Sequence, residues 1–372
     1  MNVQAVRRVL TGTMQDDQIS GDGRIDVIWG IGGNDRLRGH GGDDILQGNG
    51  GDDWAAGGIG NDRIDGGPGK DSLYGDEGDD TIFAGDDNDW LDGGDGRDFL
   101  VGGNGNDHID GGFGDDRLVG GEGDDRLYGG GGLNILFGNE GDDTLWQADH
   151  DNGDPLTSSR IIGFGGAGND FVYGGAGSNN IRGEDGDDSL SGSWSADRLD
   201  GGEGEDYLVG NDGDDRLIGG ASNDMLVGGN GKDILTGGSG KDVFYYDFSF
   251  QENGGWNEHG THYVEANDLI SDFRPGEDRL SISYRRYTQT DEPFEIKTTF
   301  SAFLSLHQLD TNGDDVVGVG DKGISVRSAS FMGEARQSLV IDTGNLGHIN
   351  DQIFSQGTIT LYGVTSVGVW DR

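Results

Sequence analysis

The chain has no cysteine, so no disulfide can staple it and no thiolate can serve as nucleophile or metal ligand. Basic residues are scarce: 25 Lys and Arg face 70 Asp and Glu, for a formal net charge of −45. That balance excludes non-specific nucleic-acid binding, which needs a basic surface, and opposes adsorption to anionic membranes. No stretch approaches the 18 apolar residues of a membrane-spanning helix, so no transmembrane segment is expected. The first residues, Met1 to Leu10, lack an apolar h-region, so no N-terminal secretory signal is expected. Neither His-Glu-x-x-His nor Gly-x-Ser-x-Gly occurs, which removes the motifs of a zinc protease and of a lipase. His259 and His262 have no evident third ligand and read as surface loop residues.

Glycine, by contrast, is abundant at 77 residues, and it is periodic. Residues 111–119 read Gly-Gly-Phe-Gly-Asp-Asp-Arg-Leu-Val, and 120–128 read Gly-Gly-Glu-Gly-Asp-Asp-Arg-Leu-Tyr. In this nonapeptide, glycine dominates positions 1, 2 and 4, aspartate holds position 6 and an aliphatic residue holds position 8. The frame runs unbroken from Gly12 to Trp146, fifteen copies, and from Gly165 to Tyr245, nine more. Regularity of this kind signals a stacked, quasi-one-dimensional fold. Positions 1–6 are expected to form a glycine-rich turn presenting carbonyl oxygens, with the position-6 carboxylate beside them. Such a donor set suits a hard cation, calcium above magnesium. Positions 7–9 are expected to form a very short strand with position 8 inward, and two nonapeptides complete a turn.

The repeat resembles that of the repeats-in-toxin (RTX) family. The resemblance implies an all-β fold, a right-handed parallel β-roll of two sheets with multiple calcium ions (Ca2+), and export by type I secretion. One buried aliphatic residue per nine ordered residues is little apolar burial to set against backbone ordering. Rows of carboxylates add repulsion. Calcium reverses that repulsion, so metal binding and folding should be coupled.

In chain order, residues 1–11 read as an N-terminal cap or leader, with Val6, Val9 and Leu10 available to cover the first turn. The first roll block is 12–146. Its expected position-6 ligands are Asp17, Asp26, Asp35, Asp44, Asp53, Asp62, Asp71, Asp80, Asp89, Asp98, Asp107, Asp116, Asp125, Asn134 and Asp143. Residues 147–164 break the pattern over the length of one full turn, either a degenerate turn continuing a single thirteen-turn roll, the favoured reading, or a linker. Asp149, His150, Asp151 and Asp154 within the break read as a solvated loop. The second block, 165–245, supplies Asp170, Asn179, Asp188, Asp197, Asp206, Asp215, Asp224, Asp233 and Asp242. Asn134 and Asn179 bring no charge and should make weaker calcium sites.

Glycine thins after Tyr245, and 246–372 reads as a smaller β-rich C-terminal domain for capping and secretion. Residues 267–282 read strand, Pro-Gly turn, strand. With Asp272, Phe273, Gly276 and Asp278, this segment resembles the one that follows the repeats in serralysin-like proteins. Residues 310–321 are similar to an EF-hand loop, with Asp310, Asn312 and Asp314 as side-chain ligands, Val316 offering its carbonyl and Asp321 closing. Asp315 stands where the turn glycine belongs, and Asp321 is shorter than the usual glutamate.

These readings combine into a secreted, extracellular, non-enzymatic calcium-binding protein whose partners are calcium ions and the type I secretion machinery. Two alternatives are an extracellular polysaccharide-binding module, similar to the repeat modules of alginate epimerases, and the non-catalytic part of a serralysin-like system. The outward positions 7 and 9 divide into a more aliphatic face, Val27 to Phe137, expected to meet another protein surface. The other face, carrying Trp54 and Trp90, is expected to stay open for glycan.

Overall fold

A computed structural model describes residues 8–147, 159–252, 267–274, 278–289, 296–304, 316–317, 324–331, 334–342, 358–361 and 367–368. All regular structure among them is β, and no helix is long and apolar enough to cross a membrane. The chain divides into two compact units, Met1–Leu190 and Ser191–Arg372.

The first unit is a parallel β-roll. Consecutive nonapeptides alternate between two sheets, so each strand pairs with the one 18 residues away. One sheet carries Asp26–Gly32, Ile45–Gly50, Arg63–Pro68 and their successors; the other carries Arg36–Gly41, Trp54–Ile59, Ser72–Glu77 and theirs. The alternation predicted for positions 7–9 is present, but the strands are longer than predicted. A typical one has 6 residues, positions 7–9 plus positions 1–3 of the next repeat, as in Trp90–Asp95. The turn proper is confined to positions 4–6.

Position 8 forms the core. Ile28, Leu37, Leu46, Ile64, Leu73 and each later rung are fully buried, and stacked rungs lie in direct register, such as Leu91 on Ile109. The strand bends at position 2 with a positive φ, which glycine meets most easily and which Ile31, His40 and Asn49 also adopt. Gly67 has φ 111°, and a Cβ there would overlap the Asn49 carbonyl of the preceding turn. At the N-terminal end, Arg8–Thr11 adds a rung in which Leu10 aligns with Ile28, while Val9 faces outward and is exposed. Val6 lies outside the described residues.

The sheets of this unit run through the break in the pattern, with a correction to the expected full turn. Leu136 aligns with Gly163 and Leu145 with Val172, so this step takes 27 residues instead of 18. The segment 160–164 therefore supplies one rung of one sheet, so the break contributes half a turn of the roll and nine residues in excess of it rather than the expected full turn. Gly163 stands at the rung position. The core is filled there by Ile161, whose Cδ1 lies 3.1 Å from where a Gly163 Cβ would be. Asp149, His150, Asp151 and Asp154 lie outside the described residues.

The second unit begins with the same architecture, Arg198–Glu203, Arg216–Ala221 and Ile234–Ser239 in one sheet and Tyr207–Asp212, Met225–Asn230 and Val243–Glu252 in the other. Both sheets continue into the C-terminal segment. Asn267–Ile270 extends the first and pairs with Thr358–Leu361, which leads to the antiparallel strands Glu334–Asp342 and Ile324–Phe331. Arg279–Gln289 extends the second and pairs antiparallel with Ile296–Leu304. The last repeat rung, Phe244, is fully buried and packs against Phe273 with ring centroids 6.0 Å apart. Of the EF-hand-like loop, Val316 and Val317 form a short strand with Val367 and Gly368. Asp310, Asn312, Asp314 and Asp321 lie outside the described residues, as do Gly276, His259 and His262.

Candidate metal centre

Each half-turn places its position-6 side chain at the turn edge, pointing back under its own loop. The predicted aspartates from Asp26 to Asp242 are buried, each at 4% exposure or less; Asp17, at the N-terminal end, is only half-buried. In the first unit, from Asp35 onward, Oδ1 of each accepts the backbone N–H of the position-6 residue one turn earlier, whereas Asp26, at the start of the row, has a buried Oδ1 without a hydrogen bond. Asp35 accepts from Asp17 at 2.8 Å, Asp62 from Asp44 at 2.6 Å and Asp98 from Asp80 at 2.8 Å. The row continues across the long step, with Asp170 accepting from Asp143 at 2.7 Å. The second unit repeats it, with Asp215 accepting from Asp197 at 2.8 Å.

The second carboxylate oxygen of most of these residues has no partner. Oδ2 of Asp35, Asp44, Asp53, Asp62, Asp71, Asp80, Asp89, Asp98, Asp107, Asp116, Asp125, Asp143 and Asp170 is buried without a hydrogen bond, and so are those of Asp215 and Asp224 in the second unit. A buried, unpartnered carboxylate oxygen is costly and implies something that satisfies it. Burial pushes these carboxyls up from the ordinary aspartate value of 3.8, opposed by the backbone hydrogen bond and reinforced by neighbouring carboxylates. Asp44 reaches about 6, Asp62 about 7 and Asp89 about 8.

Position 1 shows where a cation fits. A Cβ added at Gly66 would overlap Asp71 Oδ2 and lie 2.8 Å from the Ala84 carbonyl oxygen of the next turn. The free oxygen therefore faces a backbone carbonyl across a gap that glycine keeps open. Among the described residues no three His, Asp or Glu side chains converge on one point. The donors are instead one carboxylate oxygen with main-chain carbonyls, all hard oxygen, which fits calcium and not a nitrogen- or sulfur-seeking metal.

A second row was missed in the sequence. Position 5 is often Asp or Asn, and its side-chain oxygen accepts the position-5 N–H one turn later. Asp52 does so from Lys70 at 3.0 Å, Asp79 from Arg97 at 3.0 Å and Asn169 from Asp187 at 2.8 Å. The two rows run in opposite directions along the roll. The Asp-Asp pair at positions 5 and 6 was the available signal.

In some half-turns the loop itself satisfies Oδ2. Asp17 Oδ2 accepts from the Thr13 N–H and hydroxyl, Asp26 Oδ2 from the Asp22 N–H, and Asp197 Oδ2 from the Ser193 N–H. Asn134 keeps the row through Oδ1, but its Nδ2 donates to the Gly129 carbonyl at 2.7 Å and to Gly131 at 3.3 Å. Gln147, read as the first residue of the break, is buried beside it and donates to the Gly130 carbonyl at 2.6 Å. Asn179 likewise donates to the Gly175 carbonyl at 2.9 Å. Where a weaker ion site was expected, these amides present N–H groups to the carbonyls.

On the outer face, Trp90 stacks on His108 with centroids 3.8 Å apart, and His108, Tyr128, Trp146 and Tyr173 continue the row. Arg36 lies 4.2 Å over the Trp54 ring. Only the Trp90–His108 pair is stacked; the later rings are tilted on one another, and Trp90, Trp146 and Tyr173 remain exposed.

A parallel β-roll lined by buried, half-satisfied carboxylates facing main-chain carbonyls defines a calcium-binding repeat protein. The family model described as the RTX calcium-binding nonapeptide repeat (4 copies) matches residues 11–46, 47–82, 74–109, 83–118, 110–145, 164–180, 173–208, 191–226 and 209–244. The chain belongs to this family, and its repeats bind multiple calcium ions. No curated protein matches the chain.

Proposed function

We propose that this RTX protein is a secreted, non-enzymatic calcium binder whose roll folds when it meets extracellular calcium. The observation that carries the reading is the row of buried carboxylate oxygens without partners, Asp35 to Asp170 in the first unit. Without cations the folded roll would bury these charges against one another, in a chain already at −45. With cations, each joins a carboxylate to the carbonyl of the next turn, and binding supplies folding free energy. The ligands are the position-6 aspartates that keep a free oxygen, together with position-1 carbonyls. The half-turns of Asn134 and Asn179 hold no ion, because their amide N–H groups take the place a cation would fill.

Extracellular modules bind calcium in the range of about 0.1–1 mM. A low-calcium cytosol would keep the acidic chain unfolded for passage through a type I channel, with the C-terminal segment carrying the export signal. Circular dichroism of the full chain should show little β-structure in chelator and a β-rich spectrum in millimolar calcium; an unchanged spectrum refutes calcium-driven folding. Export is tested separately by truncation after Gly357, which should abolish secretion through a type I system.

A further inference from the structure

The half-turn of the last nonapeptide, 237–245, departs from the others. Asp242 is its position-6 residue, and its Oδ2 lies 3.1 Å from an Arg274 guanidinium nitrogen. The same Arg274 nitrogen lies 3.2 Å from Asp278 Oδ1 and donates to the Gly240 carbonyl at 2.8 Å. Asp278 occupies the next place in the carboxylate row, since its Oδ1 accepts the Asp242 N–H at 3.3 Å. Both carboxylates are essentially buried, at 0% and 1% side-chain exposure. The guanidinium thus meets two successive row carboxylates and a loop carbonyl, the kinds of donor that surround the free oxygen elsewhere.

We infer that Arg274 is a built-in cation, taking at the Asp242 half-turn the place calcium takes in the preceding ones. A guanidinium suits this place, because it stays charged and its several N–H groups form a fixed fork. The surrounding contacts hold it there. The Arg274 N–H donates to Asp278 Oδ2 at 2.6 Å, and Asp272 accepts the Gly237 and Gly238 N–H groups at 2.9 and 2.8 Å. Phe273, between them, packs on Phe244. Asn134 makes the same exchange without charge, an amide N–H replacing the ion. The consequence is a calcium ladder closed at this end by a half-turn that needs no calcium. It gives the stacking of earlier turns a metal-independent template. That consequence rests on the calcium-folding reading above; the identity of the cation at Asp242 does not.

The test compares full-length protein with Arg274→Ala and Arg274→Lys, by calcium titration to saturation and by amide hydrogen exchange. Arg274→Ala should bind one more calcium ion than the parent, on the order of one site per vacated charge. Its Asp242 amide should exchange at least about tenfold faster in chelator than in calcium, since protection there then depends on the ion. Arg274→Lys should keep the parent's ion count. An unchanged count in Arg274→Ala, with calcium making no difference to the Asp242 amide, overturns the inference. Should Arg274→Ala not fold, Arg274→Lys decides: an extra ion in that variant overturns it, and an unchanged count sustains it. If the Asp62 and Asp80 amides stay protected in chelator, calcium-driven folding fails, while the ion count still judges Arg274.

Discussion

The half-turns of Asp62 and Asn134 differ at one atom and lead to opposite chemistry. Both side chains accept the N–H of the preceding turn, Asp62 at 2.6 Å and Asn134 at 2.7 Å. Beyond that bond, Asp62 ends in a buried oxygen with no partner, whereas Asn134 ends in an N–H donating to the Gly129 carbonyl. Row geometry is therefore independent of the ion, because the first oxygen makes the row in both. On the proposed reading, the second atom sets whether the half-turn demands a cation or replaces one. This roll mixes the two kinds, so calcium content should be counted by half-turn chemistry and not by repeat number.

The sharpest control on that comparison lies in the core, where the two half-turns should be alike. Leu100 and Leu136 are both fully buried rungs, the first above a carboxylate loop and the second above the Asn134 loop. In saturating calcium, Leu100→Ala and Leu136→Ala should each cost about 2–5 kcal/mol by chemical denaturation. A large difference between them would mean that the loops feed into the core and that the half-turns are not separable.

Exchanging the deciding atom comes next. Asp62→Asn should lower the bound calcium count by about one and leave the folded spectrum in place. The reverse change, Asn134→Asp, sets a carboxylate oxygen against the Gly129 and Gly131 carbonyls and the Gln147 side-chain oxygen, which the amide N–H groups now satisfy. It should raise the calcium concentration needed for folding until an added ion fills the site. Calcium titration followed by circular dichroism reads both, and identical curves for parent and variants would remove position 6 from control of the ion.

Acid should act as a weaker substitute for calcium. The carboxyls of Asp62, Asp71 and Asp80 lie near 7 in the fold and those of Asp89 and Asp116 near 8, against 3.8 for an ordinary aspartate. Between those values the folded chain holds more protons than the unfolded one, so without metal its stability falls as pH rises. The penalty is absent below about pH 3.8 and complete above about pH 8. In chelator, β-structure should be greater at pH 5 than at pH 8, while calcium affinity should change in the opposite sense because protons compete for the same oxygens. A metal-free chain that gains structure on going from pH 5 to pH 8 would contradict the burial of these groups.

The roll itself was legible because glycine at positions 1 and 2, aspartate at 6 and an aliphatic at 8 each answer to one local constraint repeated many times. Position 1 must spare room beside a carboxylate, as at Gly66, and position 8 must fill the core, as at Leu100. What the pattern concealed depends on partners outside the nonapeptide. Gln147 lies in a segment that breaks the frame, yet it holds two loop carbonyls, those of Gly130 and Gly132. Arg274 lies 32 residues from the Asp242 it neutralises. Trp90 and His108 declared themselves as outward aromatics, but only the 18-residue register shows that their faces are spent on one another. Ile161 shows the limit of the frame, since it fills the core from the ligand position.

The smallest effect concerns position 2, where most repeats place glycine. Ile31 stands there with φ 91°, beside His40 at φ 80° and Asn49 at φ 74° in the following repeats. A β-branched side chain in this region pays about 1–2 kcal/mol that glycine avoids. Asparagine tolerates it better, because its short polar side chain can bond locally. Glycine returns part of the gain through its greater freedom in the unfolded chain, about 0.5–1 kcal/mol. Ile31 is 38% exposed, so its removal also forfeits some burial. Ile31→Gly should therefore stabilise the calcium-loaded roll by about 0.5 kcal/mol, the residue of these opposed quantities. Asn49→Gly, with less strain to relieve, should be neutral or slightly destabilising. Denaturant midpoints of the two variants in saturating calcium give the comparison. If Ile31→Gly proves the more destabilising of the pair, packing of the Ile31 side chain outweighs its backbone strain, and position 2 selects glycine for close approach between turns alone.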